Sequence, residues 1–147
     1  MEYMKRYFLI MTIMAMTCLG CKSPKETVVN ATASLDSEAN WKLVAMHGKA
    51  VRLVEGMKPI TIHFNLEAGT FSGSSGCNRY FGNFKDLGEQ KMKLSEFNGT
   101  KMACPESFHK IENGYMQLLR RCDAYRVGEY TLELMQGENV LLSFEKE

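Results

Sequence analysis

Apolar and polar residues alternate along most of the second two-thirds of the chain. Trp41, Leu43 and Ala45 share one face at period two, and Ile60, Ile62 and Phe64 share another between Pro59 and Asn65. Thr70 to Gly73 follows a Glu67-Ala68-Gly69 turn, and Cys77 to Phe84 follows a Ser-Gly turn. Met92 and Leu94 alternate with lysines, as do Tyr130, Leu132 and Leu134, and after a turn at residues 136–139, Val140, Leu142 and Phe144. Such segments are half-buried antiparallel strands joined by short turns. One segment has a different period. From Pro105 to Arg121, Phe108, Ile111, Tyr115, Leu118, Leu119 and Cys122 form a single stripe at helical spacing. Pro105 and Glu106 suit a first turn, and Arg120 and Arg121 a last one. The pattern predicts a mainly antiparallel β fold. About 7–8 short strands form a strongly curved sheet or partial barrel, with one amphipathic α-helix packed against it.

The first twenty residues follow another logic. Lys5 and Arg6 precede an apolar run from Tyr7 to Met16, and small residues follow. This is the order of a secretory signal peptide, and the run is too short for the roughly 20 residues of a membrane span. Leu19-Gly20-Cys21 resembles the lipobox of bacterial lipoproteins, which implies residues 1–20 as signal and a lipid on Cys21. Several acyl chains there would hold the protein to a membrane. Lys22 and Ser23 are not the acidic pair that retains such proteins at the inner membrane, so the expected site is the outer membrane. Residues 21–39 are rich in Ser, Thr, Lys and Glu and are expected to be a flexible tether. Residues 40–147 are long enough for one domain.

Charge narrows the partners. Taking Lys5 and Arg6 from eighteen basic residues, and Glu2 from seventeen acidic ones, leaves a balanced mature chain. A nucleic-acid binder would carry a basic excess. His47, His63 and His109 are scattered, no metal-ligand spacing surrounds the cysteines, and no Gly-x-Ser-x-Gly elbow occurs. No catalytic residue, metal or cofactor is expected. Glu112 flanks the helical stripe and is expected to be a solvated edge residue or a partner for Arg79 or Lys101.

The glycine-rich stretch GTFSGSSGCNRYFGNF, Gly69 to Phe84, is the most unusual. Gly73, Gly76 and Gly82 interrupt strands, as glycines do at bulges, bends and close backbone approaches. A phosphate-cradling loop is the alternative, but no helix and no Gly-Lys-Ser/Thr follow. Together with NGTKMACPESF, the helix, and YTLELMQGENVLLSF, this stretch resembles the META domain, the HslJ-like family of bacterial envelope proteins. The likeness spans about Trp41 to Phe144, with Lys101 where the family often has arginine. It implies a compact β-rich fold with one helix and brings no catalytic residues with it.

The resemblance also implies a partner for Cys77. Cys104 stands in the second motif, and in the oxidising compartment implied by export the two would form a disulfide. A reactive thiol at the helix start is the competing reading, and Cys122 is expected to be a buried free thiol. Asn78, Arg79, Tyr80, Lys101 and Met102 are the candidate binding patch, or else a polar network that satisfies bent backbone. The expected function is a non-enzymatic envelope lipoprotein domain that binds a protein or envelope component, in keeping with the family's heat-shock association. The alternative is a carrier of a small apolar ligand inside a partial barrel.

Overall fold

Nine strands and one helix follow one another along the chain in the computed structural model, which describes residues 34–147. The signal segment, Cys21 and most of the expected tether lie outside the described residues. The strands are β1 (Asn40–Met46), β2 (Lys49–Ala50), β3 (Ile60–Asn65), β4 (Thr70–Ser75), β5 (Arg79–Gly88) and β6 (Lys91–Gly99), then β7 (Ala124–Val127), β8 (Thr131–Gln136) and β9 (Asn139–Lys146). The helix α1 (Glu106–Leu119) joins β6 to β7. Every pairing is antiparallel, in the order β2-β1-β3-β4-β5-β6-β7-β8-β9. β1 also pairs with β9, from Trp41↔Lys146 to Met46↔Leu142, so the curved sheet closes into a ring. Closure removes the free edges that an open sheet would expose. The expected fold class is therefore present, with more strands than the sequence pattern indicated.

The largest fully buried side chains are Trp41, Tyr115, Phe64, Phe71 and Phe144. The phenylalanine and tyrosine rings of the core meet edge-on or tilted, with Phe64–Phe84 centroids 5.0 Å apart and Tyr115–Phe144 centroids 6.4 Å apart. Tyr115 carries the helix into this core, with Leu118 and Leu119 beside it. Such contacts satisfy the quadrupoles of the rings as well as burying area.

Several expectations change at bulges and turns. Leu43 pairs with Phe144 but Ala45 with Ser143, so Val44 is an extra residue and Ala45 is only half-buried. Leu134 pairs with Leu142 and Met135 with Val140, so Leu141 is extra, and Leu141, Leu142 and Met135 are all buried. Inserting one residue flips the side-chain parity that strict alternation assumes. Tyr130, expected inward, precedes β8 and is exposed. β5 runs past Phe84 to Gly88 because Glu89 and Gln90 both take positive φ (51° and 62°), the geometry of a tight primed turn.

The tether boundary also moves. Leu35 and Ala39 are buried in the core, Ser37 Oγ accepts from the Leu66 amide at 3.3 Å, and Asp36 pairs with Lys146 at 2.8 Å. Residues 34–39 therefore pack as part of the domain rather than continuing the tether. Their polar composition hid two buried anchors. The helix is shorter than expected by two residues at its end: Arg120 is its C-cap and stacks its guanidinium 4.3 Å from the Phe97 ring.

Candidate functional site

The glycines of the β4–β5 segment are needed for closeness. A Cβ on Gly73 would stand 2.0 Å from the Thr61 carbonyl oxygen of β3, and one on Gly82 would stand 2.5 Å from that of Ser95 on β6. Gly76 has φ +96°, and a Cβ there would meet the Met57 side chain at 2.1 Å. Glycine is the residue that tolerates both conditions. The geometric reading of these glycines holds.

Between Ser75 and Arg79 the chain turns around Asn78. Cys77 is bonded to Cys104, with Cα atoms 6.2 Å apart, within ordinary disulfide reach. The loop closed is 27 residues long, which in the chain-entropy model stabilises the fold by about 3–4 kcal/mol. The bond ties the turn to the segment just before α1. Cys122 is buried and unbonded, and its thiol donates to the Leu118 carbonyl at 3.3 Å. Burial, then the neighbouring Asp123, pushes that thiol up to about 12, so it stays protonated at neutral pH.

Asn78 uses every polar group it has. Its backbone N–H donates to Glu112 Oε1 at 3.2 Å, and its Nδ2 to both Glu112 oxygens at 3.0 and 3.1 Å. Its Oδ1 accepts from Thr100 Oγ1 at 3.0 Å and from the Met102 amide at 2.8 Å. The Met102 amide is an obligate donor, which fixes the side-chain amide in this orientation. Its carbonyl accepts from the Ser75 amide at 2.8 Å.

Glu112 is the anionic centre of this network, buried on α1 rather than solvated at its edge. Neither Arg79 nor Lys101 is its partner. Besides Asn78 it contacts the Ser75 hydroxyl and, at 3.3 Å, His109 Nδ1. Ser75 has one proton, and the charged carboxylate is the stronger of its two acceptors. Burial alone pushes the Glu112 carboxyl up. The hydrogen bonds from Ser75, Asn78 and His109 outweigh it and hold the group below its ordinary value of 4.5.

Tyr80 requires a correction, because it is buried and no part of a surface patch. Its hydroxyl donates to the Thr61 carbonyl at 2.8 Å and meets the Tyr115 hydroxyl at 2.5 Å. Burial pushes the pKa of both phenols well above the ordinary tyrosine value, so they remain neutral. Asn78 is half-buried, whereas Arg79, Lys101 and Met102 are exposed. Of the expected patch, Arg79 and Met102 come together, with Asn78 at the base, in a groove of about 510 Å³. Lys58, Thr61, Ser74, Thr100 and Glu147 complete its polar lining, and Lys101 stays outside it. A second groove of about 640 Å³ lies where β6 and β7 splay apart, over Met92 and Tyr125. Tyr125 donates to Asp86 Oδ2 at 3.0 Å, and its phenol is pushed up to about 12, first by burial and then by Asp86. Among the described residues no cluster of three or more His, Cys, Asp or Glu is placed to hold a metal.

Sequence reasoning missed Ser75, Glu112 and Tyr115 as a set. A signal was present: Phe108, Glu112, Tyr115 and Leu119 recur at spacings of four, three and four, the centre of the helical stripe. Lys58 carried no signal, because its place in the groove depends on the fold.

The family model for the META domain matches residues 33–147. No curated protein matches the chain. Among solved structures, an NMR structure of a protein from Burkholderia xenovorans is similar at 28% identity and a TM-score of 0.60, covering 85% of this chain and 99% of that one. A crystal structure of a DUF4847 family protein from Bacteroides vulgatus ATCC 8482 is similar at 19% identity and a TM-score of 0.51, covering 74% of this chain and 92% of that one. The latter likeness is one of fold alone.

Proposed function

Because the chain belongs to the META domain family, we propose that it acts as a non-catalytic binding module of the bacterial cell envelope, held there by a lipid on Cys21. The observation that carries this reading is the division of labour at the central motif. Asn78 and Glu112, the groups best suited to chemistry, spend their hydrogen-bonding capacity on each other and on Ser75, Thr100 and Met102. Tyr80 and Tyr115 are sealed inside. What faces outward beside this rigid hub is a groove bearing Arg79 and Met102, residue types favoured at interfaces. A recognition surface gains from such a backing, since less is lost in ordering on binding. The carrier alternative has no support in the packing: the ring's interior is occupied by Trp41, Phe64, Phe71, Tyr115 and Phe144.

Site-specific photo-crosslinking in the native envelope tests the reading. A crosslinker replacing Arg79 or Met102 in the lipidated chain is expected to yield a discrete adduct that the same probe at Tyr130 does not. Equal labelling from all three positions, or none, would defeat the proposal. Acylation is checked separately by intact mass, where Cys21→Ser is expected to lose both the lipid mass and membrane association.

A further inference from the structure

The outer face of β3, β4 and β5 is rich in hydroxyl side chains. Register places Thr61 opposite Ser74, and Ser74 opposite Arg79, whose amide donates to Thr100 Oγ1 at 3.1 Å. Directly opposed residues share a face about 5 Å apart. This row of hydroxyls is the floor of the groove at Arg79. The next row on the same face is His63, Ser72, Phe81 and Asn98. Phe81 is 54% exposed, while Tyr80 and Phe84 of the same strand point into the core. It lies two residues from Arg79, so about 7 Å along the strand.

We infer that this face binds an acidic saccharide chain, with its anionic group in the groove at Lys58 and Arg79 and a sugar ring against Phe81. The inference rests on the binding-module reading and names the ligand class for the same groove. Charge complementarity sets the anionic end. Lys58 and Arg79 form no ion pair among the described residues, and the remaining charged wall, Glu147, is engaged by Asn40 Nδ2. The lining thus holds two cations free of ion pairs, beside a Glu147 side-chain carboxylate that already accepts from Asn40. The Thr61 and Ser74 hydroxyls accept from the Ser74 and Gly76 amides and keep their protons free to donate to a sugar, while Thr100 is committed to Asn78. Phe81 is a lone ring set among Ser72, Asn83, Asn98 and Arg79. That suits the C–H face of one sugar ring, whereas a protein partner favours a clustered apolar centre. A peptide adding itself as a strand has no edge here, because β4 and β5 are paired on both sides.

The test titrates the full chain with two acidic probes, a trigalacturonate and a short sialic acid oligomer, and follows amide resonances by NMR. Binding is expected to shift Ser72, Ser74, Phe81 and Thr100. The methyl ester of trigalacturonate, which keeps the sugar and loses the charge, is expected to bind more weakly, and raised salt to weaken the acid forms. Arg79→Ala should reduce affinity by roughly tenfold to a hundredfold, with partial recovery in Arg79→Lys. Phe81→Ala should reduce it by roughly three- to tenfold. Both side chains are exposed, so an unchanged Tm verifies that the variants fold. The inference is overturned if neither acidic probe shifts these residues, if an oligoglutamate peptide binds as well, or if Phe81→Ala leaves affinity intact. In those cases a groove-specific envelope adduct from the Met102 crosslinker would still uphold the binding-module reading, and its absence would end both.

Discussion

The β4–β5 turn and the β6–β7 seam are both places where the ring must be joined, and they are joined in opposite ways. Around the turn, β4 and β5 share five register pairs, a disulfide anchors Cys77, and a buried carboxylate collects the turn's donors. At the seam one register pair, Lys91↔Ala124, appears. The Met92 and Tyr125 amides reach across at 2.9 and 2.8 Å, and a groove opens beside them. The difference follows from composition. Gly73, Gly76 and Gly82 bring backbones close, and covalent and polar ties at the turn add to the burial of Phe71 and Tyr80. The seam relies on burying Met92 and Tyr125 and has fewer ties. Stability within one small domain is then expected to be uneven, with the seam opening at lower free energy than the turn.

The largest effect is expected at the disulfide. Cys77→Ser, Cys104→Ser or reduction should each cost about 3–4 kcal/mol and lower Tm by about ten degrees or more, measured by calorimetry with and without reductant. A drop of only a degree or two would mean that the polar hub alone holds the turn. Next is Gly73→Ala. Its Cβ meets backbone oxygen rather than a flexible side chain, so the strands must part, at about 1–3 kcal/mol.

Glu112→Gln replaces the acceptor of several donors with a group that is partly a donor, and should cost about 2 kcal/mol at neutral pH. The sign of its pH dependence is set by the lowered carboxyl. Its stabilisation is complete above the unfolded value near 4.5 and is lost as pH falls through the lower native value. Wild type and Glu112→Gln should therefore begin to converge as pH falls past 4.5 and meet once it is below the lower native value, in urea titrations. A gap that persisted there would show that shape, not charge, makes Glu112 matter. The smallest effect is at the seam. Tyr125→Phe removes one bond to Asp86, costs about 1 kcal/mol, and should speed amide exchange at Met92 and Tyr125 while leaving Ser75 and Asn78 protected. Equal acceleration in both regions would erase the distinction between them.

Much of this was legible in residue order. Ile60-Thr61-Ile62-His63-Phe64 reads as a strand and is one, because a half-buried strand needs only the period-two pattern. The helix was legible from its stripe, and the glycines from their interruption of strands. The site was legible in part. Treating Asn78, Arg79 and Tyr80 as one surface ignored the strand's own alternation, in which Tyr80 is in phase with Gly82 and Phe84. Glu112 was misplaced because a carboxylate within an apolar stripe is ordinarily a solvated flank. Donors from β4 and the turn after it, with His109 on its own helix, offset the cost of burying it.

The local order of the chain by itself determined where strands and helix form and which faces are apolar, since those depend on periodicities within a few residues. The tertiary structure alone decided the rest. β7 has too short a pattern to announce itself and exists because β8 lies beside it. Ring closure joins Trp41 to Lys146, which no local pattern encodes. The groove brings Lys58, Arg79 and Thr100 together from three separate segments. Each of these depends on groups far apart in sequence whose pairing is favourable only after the core has brought them within hydrogen-bonding distance.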